Sequence, residues 1–245
     1  MTALDSRDRT GPSAARVLRL FGPSFEEVLG FTKLFSEAAD PPIAWEVFPE
    51  VHVKCPDDRI ATSLVERFGS AVYGTRDLSF EAAVGAALIA RGWTLATAES
   101  CTGGLIGHLI TNVPGSSHYF RMGVVAYSNE AKIRVLGVPQ PVIADHGAVS
   151  EPTVREMAER VRALAGSDLG VSVSGIAGPG GGTPEKPVGT VWMALSGPSG
   201  TRAVVHRLSG DRHQVKRAAA FHALDLVRRA CIGDYPMDQG PPVEA

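Results

Sequence analysis

Polar and apolar positions divide the chain into a short first part and a longer second part. ARVLRLFG (15–22) is a brief apolar run closed by a glycine and predicts a strand. Ser24 is placed to cap the next segment, FEEVLGFTKLFSEAA, where Phe25, Val28, Leu29, Phe31, Leu34 and Phe35 recur at helical spacing. Asp40-Pro41-Pro42 stops that helix. IAWEVFPEVHVKC (43–55) alternates, with Val51 and Val53 against His52 and Lys54, and predicts strands. IATSLVERFG (60–69) predicts a second helix and AVYG (71–74) a short strand. Residues 15–76 are therefore expected to form a small α+β domain, with residues 1–14 a disordered tail.

Beyond Ser79, itself placed to cap FEAAVGAALIARG, the rhythm becomes strand, helix, strand, helix. TLATA, a helix from Leu105 to Thr111, GVVAY, NEAKIRVLG and TVREMAERVRALAG follow in turn. The last of these has Ser150 as N-cap, Pro152 in its first turn and Gly166 at its end. Val154, Met157, Ala158, Val161 and Leu164 make its expected buried stripe. LGVSVS, VGTVWMALSG and RAVVHRLSG predict three more strands, and DRHQVKRAAAFHALDLVRRA a closing helix. The class is α/β, a layered α/β/α sheet domain over 79–232 preceded by the small α+β domain. Residues 233–245 are rich in proline and read as a flexible tail.

Composition changes this picture little. The 245 residues are 44% hydrophobic and 20% charged, ordinary for a soluble globular protein. A net charge of -2 gives no bulk attraction to nucleic acid or anionic membrane. The three cysteines, Cys55, Cys101 and Cys231, are far apart and form no CxxC, which points to reduced thiols in the cytoplasm. Neither a signal peptide nor an apolar run of about 18 residues is present, so no membrane span is expected. The seven histidines are scattered, without HExxH, and no metal is expected. His108 and His222 fall in apolar helical patterns and read as structural, whereas His118, His146 and His213 sit in or near loops.

In α/β sheets ligands collect at the carboxyl ends of strands, and four loops there carry chemistry. ESCTGG follows TLATA, with Gly103 and Gly104 opening a helix whose free N–H groups would favour an anion or oxyanion. It presents two candidate nucleophiles, Ser100 and Cys101, between which chemistry alone does not choose Ser. AYSNEAK (126–132) offers Tyr127 and Lys132, and a lysine of lowered pKa can deprotonate a serine. SGIAGPGGGTPEKPVG (174–189) is glycine-rich and can wrap a phosphate or ribose, but its spacing is not that of a P-loop. In SGDRHQVKR (209–217), Arg212 and Lys216 share a helix face four residues apart. Cations near a helix start oppose its dipole, which is easier to understand if Arg212 faces an anion.

In order, TAESCTGG, VPGSS, GVVAYSNEAKIRVLGV, HGAVSE, SGIAGPGGGTPEKPVGTVW and GDR resemble the C-terminal domain of the CinA family, over about residues 80–230. Residues 15–76 resemble the family's small middle domain through VLRLFG, the helix after it and SAVYG. The resemblance implies a nicotinamide mononucleotide amidohydrolase of pyridine nucleotide salvage, forming nicotinate mononucleotide and ammonia without metal or other cofactor. It places the family's catalytic groups on Ser100, Tyr127 and Lys132. Substrate contacts fall on Ser174, Gly175, Ala177, Gly178, Gly180 and Arg212, with Glu99, Thr102, Gly103 and Gly104 shaping the turn. The resemblance also implies a homodimer.

Two departures bear on function. Full-length members carry a preceding molybdopterin-binding-like domain associated with pyrophosphatase activity, which 245 residues of this pattern are not expected to hold, so that activity is not carried over. The family usually reads TGIAGP where this chain has Ser174, which keeps the hydroxyl and loses a methyl that restricts the rotamer. Two competing readings stand beside the hydrolase, the first of them left room by these departures. One is a nucleotide-binding or regulatory protein that keeps the pocket without turnover, within a competence or DNA-damage response. The other is an interaction role for the small N-terminal domain.

Overall fold

The computed structural model describes residues 16–75 and 77–235. The tail expected at 1–14, and the one at 233–245 from residue 236 onward, lie outside the described residues. The chain divides into two compact units, with the break between Ser79 and Phe80.

In the first unit, strands β1 (Arg16–Phe21), β2 (Ile43–Val47), β3 (Glu50–Cys55) and β4 (Val72–Thr75) form an antiparallel sheet ordered β2-β3-β1-β4. Helices α1 (Phe25–Thr32) and α2 (Asp58–Phe68) supply Val28, Ile60 and Leu64 to a core with Leu18, Leu20, Val51 and Val53. Burying each such aliphatic side chain contributes about 1.5–3 kcal/mol. Ser24 and Glu27 form a capping box at the start of α1. That helix ends sooner than its apolar pattern suggests. Its last turn tightens into a 3-10 turn at Lys33–Phe35, the change of pitch rotates the face, and Leu34 is exposed rather than packed. α2 begins two residues earlier than expected, because Asp57 accepts a hydrogen bond from the Ile60 N–H at 2.8 Å. His52, expected on the polar side of β3, is buried edge-on against Trp45, and burial pushes its pKa down.

The second unit runs α3 (Phe80–Arg91), β5 (Leu95–Glu99), α4 (Leu105–Thr111), β6 (Phe120–Val125), α5 (Asn129–Arg134), α6 (Gln140–His146), α7 (Glu151–Ala165), β7 (Leu169–Gly175), β8 (Thr190–Gly197), β9 (Gly200–Arg207) and α8 (Arg212–Ile232). The sheet order is β6-β5-β7-β8-β9, parallel across β6, β5 and β7 and antiparallel beyond. On one face Met157 and Val161 of α7 pack on Ala96 and Ala98 of β5, with Leu136, Val138 and Ile143 completing the layer. On the other face α8 lies on β7 and β8, α4 packs against α8, and Phe80 of α3 stacks on Phe221 of α8 at 5.0 Å. The unit is thus an α/β/α sandwich.

α7 carries its expected caps: Ser150 accepts from the Thr153 N–H, and Gly166 closes the helix in the left-handed region. Leu164 departs from the expected stripe and is exposed, in the last turn before Gly166 reverses the chain. α6 has no counterpart among the elements expected from the sequence. Its Pro141 sits in the first turn, where the missing N–H leaves no bond unmade. Among the described residues no helix is long and apolar enough to cross a membrane.

The topology selects the site. The chain leaves β5 through α4 on one face to reach β6, and crosses back over α7 on the other face to reach β7. The carboxyl end of β5 is therefore the switch point where α/β sheets open a crevice. Around it the long loop from β7 to β8 is anchored tightly at its far end. Gly189 has φ +92°, and a Cβ there would lie 1.9 Å from the Leu208 carbonyl oxygen, so no other residue fits.

Candidate active site

Ser100 is the first residue beyond β5, and its N–H donates to the Val173 carbonyl at 3.0 Å, which fixes it to the neighbouring strand β7. Lys132 reaches it from the side. Ser128 caps α5 by accepting from the Ala131 N–H at 3.0 Å, which starts the helix so that Lys132 points back into the sheet edge. Its ammonium Nζ donates to Ser100 Oγ at 3.0 Å and to the Ala126 carbonyl at 2.8 Å. Lys132 is only 1% exposed, and burial lowers its pKa below the ordinary lysine value. No carboxylate lies within ion-pair distance of it among the described residues. The proton that burial disfavours is therefore not held by a counter-charge.

Cys101, the other candidate nucleophile, is buried, and desolvation pushes its thiol up to about 12. A thiol in that state carries almost no thiolate at neutral pH. It is a small packing residue beside the Ser100–Lys132 pair.

Glu99 is buried at the end of β5, and its carboxylate accepts from the N–H groups of Gly104 (2.9 Å), Ile106 (3.1 Å) and Gly107 (2.8 Å). This corrects one expectation: the free N–H groups at the start of α4 are not open to an anion, because the chain's own carboxylate occupies them. Gly103 and Gly104 take φ of +64° and +94° to make the turn. The N–H groups of Cys101 and Thr102 make no hydrogen bond among the described residues, and Thr102 Oγ1 is buried without a partner.

The remaining predicted residues form a second group. Arg212, first in α8, donates to the Gly178 carbonyl at 2.7 Å and to the Tyr127 hydroxyl at 2.9 Å. It thereby ties the glycine-rich loop to the segment after β6. β6 ends at Val125, so Tyr127 lies outside the sheet and is 59% exposed. No hydrogen bond joins Tyr127 to Ser100 or Lys132 among the described residues. Ser174 is buried, and its hydroxyl donates to the Ala148 carbonyl at 2.7 Å, tying β7 to the turn before α7. Gly175 ends β7, Ala177 is buried and Gly180 is exposed.

A family model described as the CinA C-terminal domain matches residues 77–231. The chain belongs to the CinA family. A CinA-like protein of Anaeromyxobacter sp. is 50% identical over 192 residues, 75% of this chain and 47% of its own length. A CinA-like protein of Desulfosudis oleivorans is 45% identical over 236 residues, 90% of this chain and 57% of its own. The crystal structure of a CinA superfamily protein from Klebsiella pneumoniae superposes with a TM-score of 0.61 at 38% identity, over 63% of this chain and 96% of its own. The chain spans about half the length of the curated relatives it matches.

Within this CinA domain, sequence reasoning passed over several neighbours of the site. The Ala126 carbonyl is a backbone group without a sequence signal. A pocket of about 330 Å³ opens beside the Thr102–Leu105 turn, with His108, His213 and Lys216 on its other walls. His108, expected to be structural, is exposed there. The spacing of Lys216 from Arg212 was the one available signal for its place. A larger depression of about 440 Å³, bounded by Arg162, Ser167 and Gly197, lies at the opposite end of the sheet, away from Ser100.

Proposed function

We propose that this domain is an amidohydrolase that converts nicotinamide mononucleotide to nicotinate mononucleotide and ammonia, with Ser100 as nucleophile and Lys132 as base. The observation that carries this is the buried, carboxylate-free Lys132 ammonium at 3.0 Å from Ser100 Oγ. Once neutral, Lys132 accepts the hydroxyl proton as Ser100 Oγ bonds to the carboxamide carbon. The tetrahedral oxyanion meets the unbonded N–H groups of Cys101 and Thr102, a role in which one donor is worth about 10²–10³ in rate. Collapse breaks the C–N bond, and Lys132 returns its proton to the departing ammonia. Water then attacks the acyl-serine with Lys132 again as base, which frees the carboxylate and restores Ser100. Tyr127, five residues before Lys132 and held by Arg212, is assigned the relay of a proton or a contact to substrate through its hydroxyl. The glycine-rich loop, latched through Gly178, closes the nucleotide side.

The test is ammonia release from nicotinamide mononucleotide in metal-free buffer. Wild type is expected to turn over, and Ser100→Ala and Lys132→Ala to lose turnover. Tight binding of the nucleotide by wild type with no ammonia released would instead favour a binding or regulatory role. Residues 15–76 are read as the family's middle domain, and no residue of theirs is assigned a step in this chemistry.

A further inference from the structure

We infer that Lys216 is the phosphate-receiving and specificity-determining residue of this site, seating the phosphate monoester of the substrate in the pocket beside the Thr102–Leu105 turn. The inference rests on the amidohydrolase reading and moves the phosphate from Arg212, its expected partner, to Lys216.

Arg212 is already committed. Two of its nitrogens donate to Gly178 and Tyr127, so its first task is to hold two loops together. Lys216, one turn further along α8, is half-buried and makes no hydrogen bond or ion pair among the described residues. A partly desolvated ammonium with three unused donors is best satisfied by an anion. The pocket that contains it, about 330 Å³, is of a size that admits a small ligand, and no acidic residue lines it.

Three further observations tie this cation to the nucleophile. The backbone is bare where Lys216 approaches it: a Cβ built on Gly103 would lie 3.6 Å from Lys216 Nζ. A ligand oxygen can therefore meet both the ammonium and the turn. The Thr102 hydroxyl, fully buried in the same wall, lacks a partner. Thr102 and Gly103, which line the pocket, directly follow Ser100 and Cys101, so the pocket lies against the catalytic turn. His108 and His213 add imidazole donors at the rim. A dianionic phosphate monoester matches this set of donors better than a neutral sugar or ring does.

Three measurements decide it. In steady state, Lys216→Met is expected to lower the ratio of kcat/KM for nicotinamide mononucleotide to that for nicotinamide riboside about ten- to a hundredfold, through KM. Lys216→Arg should restore most of the ratio. By calorimetry on the full chain carrying Ser100→Ala, inorganic phosphate should bind, and the added Lys216→Met should abolish that binding. Inorganic phosphate should inhibit wild type competitively with the nucleotide. An unchanged ratio, or phosphate binding that survives Lys216→Met, overturns the assignment. Non-competitive inhibition, which marks a separate effector site, also overturns it. Should wild type release no ammonia from either compound, the amidohydrolase reading fails, while calorimetry still decides where phosphate sits.

Discussion

Lys132 Nζ lies 3.0 Å from Ser100 Oγ, and among the described residues no carboxylate stands within ion-pair reach to hold the proton on it. A base is useful only when deprotonated, and burial lowers the Lys132 pKa toward the working range. The kcat/KM for amide hydrolysis should therefore rise with pH as Lys132 loses its proton, then level off above its folded pKa. Lys132→Arg, which stays charged, should be inactive across the same range. Ammonia release measured from pH 5 to pH 10 checks both; a flat profile in wild type would remove Lys132 from the role of base.

The same burial has a thermodynamic consequence of definite sign. Between the lowered folded pKa and the ordinary value of 10.5, the unfolded chain binds a proton at this position that the folded chain does not. Stability therefore gains from rising pH within that window, and the contribution is flat outside it. Lys132→Met should lose this slope and be more stable than wild type at neutral pH, while losing activity. Urea midpoints at several pH values, compared between the two proteins, read the slope directly.

Cys101 sits next to Ser100, the proposed nucleophile, and its burial disfavours the same role. Burial pushes its thiol up to about 12, and does the same for Cys55 and Cys231. All three thiols should be nearly inert to a disulfide reagent in the native protein and react promptly in denaturant. Cys101→Ala should keep turnover, whereas Ser100→Ala should not. Fast labelling of one native thiol together with loss of activity would reverse the choice between Ser100 and Cys101.

Arg212 holds Tyr127 and Gly178 from one guanidinium, so Arg212 and Tyr127 should be coupled energetically. Tyr127→Phe and Arg212→Ala are each expected to lower kcat/KM, and the double variant to lose less than the two combined. Both side chains are exposed, so unfolding free energies from urea titration should change by no more than about 0.5 kcal/mol. Strict additivity in the cycle would mean that the hydrogen bond contributes nothing to the site.

How much of this was legible beforehand follows from the range of the forces involved. Local signals were readable: the Ser24 and Ser150 caps, Gly166, and the strand–helix alternation all act within a few residues. Leu34 and Leu164 were misplaced because periodicity assumes a constant pitch and a neighbour at every turn, and each lies where one of these fails. α6 is a seven-residue helix, too short to show a sustained apolar period, and its first turn tolerates Pro141. At the site, the motifs named Ser100 and Lys132, but their separation of 3.0 Å depends on α5 being capped at Ser128. The latch from Arg212 to Tyr127 spans 85 positions and ends partly on a carbonyl, which no residue type announces.

Glu99 provides the sharpest separation of structure from binding. The resemblance gives it a part in shaping the turn beside the substrate, and its two oxygens accept three backbone N–H groups of the turn that follows Ser100. Glu99→Ala leaves those donors without an acceptor in a largely buried turn, at about 1–3 kcal/mol for each unsatisfied group. A loss of about 3 kcal/mol or more is expected, among the larger effects of any single substitution. Glu99→Gln keeps one acceptor oxygen but turns an NH₂ toward the other donors, and should fall between wild type and alanine. Turnover should drop with stability in that order, because the displaced turn carries Ser100 and the N–H groups of Cys101 and Thr102. If Glu99→Gln instead raises KM and leaves the unfolding midpoint in place, the carboxylate belongs to the substrate after all.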